Sequence, residues 1–276
     1  MLTGRQIGFV GGGNMAEALL AGLLRKGLTT PDRLTVSDPL VSRRELFART
    51  FAVAVTADNQ AAVRGADLVV LCVEPQVLDD VLGELTPSLD SHPLMISVAA
   101  GYPLSRMRHY LSDATRLIRA MPNTPSMIGE GVTAMSLAPG VSSEDRETAR
   151  QLFESVGLAV VVEERLLDAV TGLSGSGPAY VFAMIAALAD GGVSAGLPRS
   201  TAQLLAAHTV AGAAGMVLEQ GEHPAVLKDR VASPGGTTIA GLNALEQGRL
   251  RATLMSAVEA ATQRSQELGK TEQHHL

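Results

Sequence analysis

Ile7-Gly8-Phe9-Val10-Gly11-Gly12-Gly13-Asn14-Met15-Ala16 decides how this chain folds. A strand-sized apolar run meets three glycines, and an apolar pattern at helical spacing then continues to residue 26. The order is G-x-G-x-x-A, and each small residue has its own task. Gly11 permits a tight turn, Gly13 has no side chain to hold a pyrophosphate off the backbone, and Ala16 lets the helix lie close to a sheet. The unpaired N–H groups of the first helical turn would face the phosphates, and the helix macrodipole adds attraction. A glycine turn of this kind also occurs in other doubly wound folds. The strand before it, the helix after it and an acid at the end of the next strand favour a dinucleotide, with Val10, Gly11, Gly12, Gly13, Asn14 and Met15 as coenzyme residues.

Outward from this point, Leu34-Thr35-Val36, Leu68-Val69-Val70-Leu71-Cys72-Val73, Leu94-Met95-Ile96-Ser97-Val98 and Leu117-Ile118 are runs that fit strands buried on both faces. Helical patterns at 14–26, 41–50, 59–64, 76–83 and 103–111 alternate with them. Two further runs, 132–137 and 158–162, flank a helical pattern at 143–155 and extend the sheet at its edge. After Glu163 the strand signal stops. Residues 165–173, 178–195, 199–219, 224–231, 238–247 and 250–268 read as helices, separated by Gly-Pro, Leu-Pro, His-Pro and Ser-Pro-Gly-Gly. The apolar stretch 179–189 is too short to span a bilayer and reads as a buried helix. The expected class is α/β: a Rossmann-type doubly wound parallel sheet over residues 1–162, then an all-α domain over 163–276.

Composition narrows the function. Lys+Arg 22 against Asp+Glu 28 leaves a net charge of −6, which removes the cationic field that nucleic acid requires. Cys72 is the single cysteine, so an internal disulfide and a Cys-based zinc site are excluded. With no charged-then-apolar leader before Ile7, a soluble protein of the reducing cytoplasm is expected, with no membrane partner. His92, His109, His208, His223, His274 and His275 form no metal-binding pattern, so no metal is expected. Residues 163–276 hold 21 of the 39 alanines. Helices so poor in large side chains are expected to bury their faces against a second copy.

The ends of the other strands supply more candidates. A carboxylate at Ser37-Asp38-Pro39 would accept from the ribose 2′-OH of NAD and repel the 2′-phosphate of NADP. Ser37, Arg43 and Arg44 could instead serve that phosphate, so both coenzymes stay open. The same tripeptide is also an ordinary turn, with Asp38 capping the next helix. Cys72-Val73-Glu74-Pro75, Val98-Ala99-Ala100-Gly101 and Met121-Pro122-Asn123-Thr124-Pro125 each follow a strand. In the helical part, two segments are expected to expose N–H groups and hydroxyls to a small carboxylate: 171–180, with Pro178 opening a helix, and Ser233-Pro234-Gly235-Gly236-Thr237-Thr238. Either one alone could be an interhelix turn.

Taken together, these motifs resemble the pyrroline-5-carboxylate reductase family, from Gly8-Phe9-Val10-Gly11 through Arg119-Ala120-Met121-Pro122-Asn123-Thr124-Pro125 and Leu173-Ser174-Gly175-Ser176-Gly177-Pro178-Ala179-Tyr180 to Ser233-Pro234-Gly235-Gly236-Thr237-Thr238 and Leu245-Glu246. The resemblance implies reduction of the cyclic imine Δ1-pyrroline-5-carboxylate to L-proline by NAD(P)H. It implies that Ser233, Gly235, Gly236 and Thr237 hold the substrate carboxylate and that the Thr238 hydroxyl approaches the ring nitrogen. Ser37, Pro39, Asn59, Val73, Glu74, Pro75, Val98, Ala99 and Ala100 match positions along the dinucleotide, and Asp38, Cys72, Met121, Pro122 and Asn123 join them as coenzyme candidates from their places at the strand ends. Glu74 stands where many members have lysine. Members pair through their helical domains, and some assemble further. Two rivals are a hydroxyacid dehydrogenase of similar architecture and a non-catalytic NAD(P)-binding redox sensor. The first needs a well-placed lysine, which Lys26, Lys228 and Lys270 do not offer; the second needs no intact carboxylate loop.

Overall fold

In the computed structural model, which describes residues 2–89 and 92–270, the opening run forms β1 (Ile7–Val10), buried throughout. An uninterrupted apolar run requires cover on both faces, and it has it. Next comes α1 (Asn14–Arg25), which buries Ala16, Leu19, Leu20 and Leu23. The chain continues through β2 (Leu34–Ser37), α2 (Val41–Phe51), β3 (Ala54–Thr56), α3 (Asn59–Val63), β4 (Leu68–Leu71), α4 (Leu78–Leu85), β5 (Leu94–Ser97), α5 (Leu104–Met107) and β6 (Arg116–Met121). Then follow β7 (Gly131–Leu137), α6 (Ser143–Glu154), β8 (Gly157–Val161) and α7 (Leu167–Val170). The remaining helices are α8 (Gly177–Ser194), α9 (Arg199–Gln220), α10 (Pro224–Val231), α11 (Thr237–Gln247) and α12 (Leu250–Lys270). His274 and His275 lie outside the described residues.

The strands form one sheet in the order β3-β2-β1-β4-β5-β6-β7-β8. Side chains alternate across it. In β4, Leu68 and Val70 join a core with Phe9, Leu20, Phe47 and Phe153, while Val69 and Leu71 join another with Leu82, Met95 and Tyr102.

Two features depart from the expected sheet. β3 was not legible, because Ala54-Val55-Thr56 is too short to show a period; pairing with β2 makes it a strand. The sheet is also not parallel throughout. β7 runs antiparallel to β6, and β8 runs parallel to β7. Only a short 3-10 turn, Thr124–Ile128, lies between β6 and β7. A parallel crossover takes roughly a dozen residues or more, so the chain must reverse.

Packing divides the chain into a unit of residues 1–176 with 260–276 and a unit of 177–259. The strand signal ends after β8, close to 162, but Leu167 of α7 is fully buried and Ser265 of α12 nearly so, both within the sheet unit. In the other unit, α8 and α9 meet through Ala189, Ala202 and Ala206, flanked by Ile185 and Val193. The stretch 179–189 is not the buried helix expected. Ala189 is the buried residue of α8, and Phe182 is 64% exposed. Among the described residues, Leu204, Leu205 and Leu218 of α9 are exposed as well.

Candidate functional site

The loops after β1, β2, β4, β5 and β6 all leave from the carboxyl ends of parallel strands, and the winding reverses between β1 and β4. Ligands of open α/β sheets bind in the crevice at such a point. Gly11 stands there with φ +93°, and a Cβ on it would come within 2.8 Å of the Cys72 carbonyl. Only glycine allows both that conformation and that approach. The Gly11 N–H donates to the Ser37 carbonyl at 2.9 Å, and the Cys72 N–H donates to the Val10 carbonyl at 2.7 Å. Three strand ends thus share one rim.

Gly13 precedes α1, and no side chain caps the first turn of that helix. A Cβ at Gly13 would meet nothing nearer than the Cys72 oxygen at 4.0 Å. Open backbone, unpaired helical N–H groups and a glycine floor fit the pyrophosphate of a dinucleotide.

Around this floor, several side chains brace the loop. Asp38 is 9% exposed, and both its oxygens are occupied. Oδ2 accepts the Gly12 N–H and Oδ1 the Leu40 N–H, each at 2.8 Å. Asp38 closes a turn onto Leu40 but does not cap α2, which has no side-chain cap. Arg43 donates to the Gly12 carbonyl at 2.5 Å and pairs with Glu17 at 2.9 Å, while Arg44 donates to the carbonyls of Asp38 and Pro39. Ser37 is fully buried, and its hydroxyl donates to Asn59 Oδ1 at 2.8 Å, because an enclosed hydroxyl must find an acceptor. Asn59 in turn donates to Glu84 at 2.9 Å. Glu74 is exposed, with no ion pair among the described residues. Burial pushes the partly enclosed Cys72 thiol up to about 12, which removes it as a nucleophile.

The next two loops are held from behind. Tyr102 donates to Asp79 at 2.5 Å, and Arg106 pairs with the same carboxylate while lying over the Tyr102 ring, tying α4 to α5. Burial acts to raise the pKa of Asp79, but hydrogen bonds from Arg106, Tyr102 and Tyr110 outweigh it and hold the carboxyl below its ordinary range. The Asn123 side chain is a bracket: Nδ2 donates to the Ser174 carbonyl at 3.1 Å, and Oδ1 accepts the Val132 N–H at 2.9 Å. Its neighbours Met121, half-buried, and Pro122, buried, complete the loop after β6.

The segment 171–180 does not form an open loop. Thr171–Gly175 is a π-helical turn, closed by the Ser176 N–H donating to the Thr171 carbonyl at 2.8 Å. The Thr171 and Ser174 hydroxyls donate back to the Leu167 and Val170 carbonyls. A wide turn lets Met121 pack where a Cβ on Gly175 would stand. Gly175 therefore serves packing, whereas a Cβ at Gly177, the first residue of α8, would meet nothing within 4 Å.

In the other unit, Ser233-Pro234-Gly235-Gly236 is a turn closed by the Gly236 N–H donating to the Ser233 carbonyl at 3.1 Å, with Gly235 at φ +66°. Proline and a left-handed glycine at the two central positions match a type II turn. Gly236 then opens α11 with no side-chain cap, and Thr237 and Thr238 are its first residues. Ser233, Gly235 and Thr237 are exposed here, and Gly236 and Thr238 are half-buried. A cleft of about 1170 Å³ elsewhere, lined by Leu104, Arg108, Ala138 and Glu163 among others, includes none of the coenzyme candidates. The buried Arg119, with Glu164 and Asp168, went unread in the sequence, although an arginine inside Leu117-Ile118-Arg119-Ala120 was the available signal.

A family model described as pyrroline-5-carboxylate reductase dimerisation matches residues 164–268, and one described as NADP oxidoreductase, coenzyme F420-dependent, matches residues 6–101. A pyrroline-5-carboxylate reductase from Synechocystis sp. is 49% identical over 265 residues, covering 96% of this chain and 98% of that one. Among solved structures, a pyrroline-5-carboxylate reductase from Coxiella burnetii has TM-score 0.90 at 38% identity, covering 97% of this chain and 99% of its own. A pyrroline carboxylate reductase from Plasmodium falciparum, with NADP bound, has TM-score 0.88 at 31% identity, covering 96% and 98%.

Proposed function

This chain belongs to the pyrroline-5-carboxylate reductase family, and from that premise we propose that it reduces Δ1-pyrroline-5-carboxylate to L-proline with NADPH or NADH. The observation that carries the reading is the coincidence of two unlike anion-binding segments in one chain. One is the glycine rim at the β1–β4 switch point; the other is the Ser233–Gly236 turn that opens α11 with two threonines. A redox sensor needs only the first.

A bound coenzyme would supply the hydride. Gly13, Asn14 and Met15 would offer backbone N–H groups to its pyrophosphate, while Val10, Gly11 and Gly12 form the turn beneath it, the Gly11 and Gly12 N–H groups donating to Ser37 and Asp38; Asp38 and Arg43 keep that loop in shape. Ser37, Pro39 and Asn59 support the rim at the end of β2, and Cys72, Val73, Glu74 and Pro75 at the end of β4. Val98, Ala99, Ala100, Met121, Pro122 and Asn123 bound the nicotinamide end. Ser233, Gly235, Gly236 and Thr237 bind the substrate carboxylate, and the Thr238 hydroxyl accepts a hydrogen bond from the protonated ring nitrogen. An imine protonated on nitrogen is already electrophilic, so the chain's task is to orient it and exclude water rather than to move many protons. The protein acts as a homodimer formed through residues 163–276, in the cytoplasm.

The test is coenzyme oxidation by the purified chain with and without the imine. Oxidation and proline formation that depend on the imine are expected. If neither coenzyme supports proline formation, the reading fails.

A further inference from the structure

We propose that Arg119 is a positioning residue for the coenzyme rim, acting through two carboxylates that brace the loop after β5; this rests on the coenzyme reading of that rim. Arg119 lies in β6 with its side chain 7% exposed. A charge so enclosed is retained only where it is paired. Its guanidinium lies 3.3 Å from Glu164 Oε1 and 3.7 Å from Asp168 Oδ1.

Each carboxylate passes the constraint on. Glu164 Oε1 also accepts the Leu104 N–H at 2.7 Å, which ties down the far end of the loop carrying Val98, Ala99 and Ala100. Asp168 Oδ1 accepts the Ser265 hydroxyl at 2.7 Å, and Ser265 is buried in α12. That turn of α12 presses on the same loop. A Cβ at Gly101 would lie 3.3 Å from the Ser265 carbonyl oxygen and from Leu268 Cβ, and one at Gly269 would lie 2.9 Å from the Gly101 oxygen. One buried cation therefore fixes the loop from two sides, and two residues beyond it β6 delivers Met121 to the same rim. None of these groups needs to touch the coenzyme.

The experiment uses the full chain and two readouts: the Kd of NADPH by fluorescence titration, and amide hydrogen exchange of residues 98–104 without coenzyme. Arg119→Met is expected to raise the Kd at least tenfold and to speed that exchange at least tenfold, while kcat at saturating coenzyme stays within about threefold. Arg119→Lys, which keeps the charge, should recover part of both losses. Ser265→Ala and Glu164→Gln, each removing one link, should raise the Kd two- to fivefold. A folded Arg119→Met protein with wild-type Kd and wild-type exchange at 98–104 overturns the proposal. If that variant does not fold, wild-type values of both readouts in Ser265→Ala and Glu164→Gln overturn it instead. The exchange arm judges the brace even if the wild-type chain binds no coenzyme, an outcome that would sink the coenzyme reading. A wild-type chain that binds NADPH without reducing the imine would sink only the proposed reaction.

Discussion

Thr238 is the second residue of α11, on a turn whose glycines leave the helix start uncovered. Loss of one hydrogen bond to a charged group costs about 1.5–3 kcal/mol. Thr238→Ala is therefore expected to lower kcat about tenfold to a hundredfold and to leave the coenzyme Kd unchanged. Should kcat hold while proline binding collapses, Thr238 only binds. Asp38 leads to a different expectation. Its carboxylate satisfies the Gly12 and Leu40 N–H groups, and a hydrogen bond to a charged group contributes about 1.5–3 kcal/mol. Asp38→Ser should weaken NADH and NADPH binding alike, by roughly tenfold, and change their ratio less than that. A shift in kcat/KM toward NADPH with its affinity undiminished would return Asp38 to the ribose.

Among the elements, α1 shows packing overruling propensity. Gly22 lies inside the helix, where alanine is normally better by about 1 kcal/mol. A Cβ there would stand 2.5 Å from Val156 Cγ1 and 2.8 Å from the Ser155 carbonyl oxygen. Overpacking costs about 1–3 kcal/mol, so Gly22→Ala should lower the melting temperature, not raise it. A raised melting temperature would show that α6 and β8 can yield. The tie between α4 and α5 carries a pH dependence. Asp79 has its folded pKa below the unfolded value, so its contribution is complete above the unfolded pKa and lost as pH falls through the folded one. The stability gap between wild type and Asp79→Asn should close as pH drops below about 4, as followed by urea unfolding. A gap that persists in acid would assign the loss to packing.

At the scale of the whole molecule, the 177–259 unit leaves Leu218 82% and Met255 60% exposed beside the small core of α8 and α9. A chain that exposes such residues on several helices needs a partner surface. Among the described residues two helices, Glu164–Ser194 and Arg199–Gln220, have the length and hydropathy of membrane-crossing segments, so the stretch 179–189 belongs to a helix longer than its own apolar run. The match of 164–268 to a dimerisation family model favours a second copy as the cover for their apolar faces. Unfolding should be coupled to dissociation, so the melting temperature should rise with protein concentration, and residues 1–162 alone should stay monomeric. Sedimentation that finds a stable, active monomer at micromolar concentration would falsify the obligate homodimer. What the sequence determined by itself was the βαβ alternation, the glycine fingerprint and the Ser233-to-Thr238 turn. Their signals are local, residing in residue size, hydrophobic period and backbone freedom over ten residues or fewer. It was silent on β3, on the reversal at β7 and on the π turn at Thr171–Gly175, which depend on neighbours supplied by the rest of the chain. Only the tertiary structure turned Ser37 inward, occupied both oxygens of Asp38 and set Arg119 between Glu164 and Asp168. A buried polar group takes whichever partner the fold brings within reach, and sequence spacing does not contain that distance.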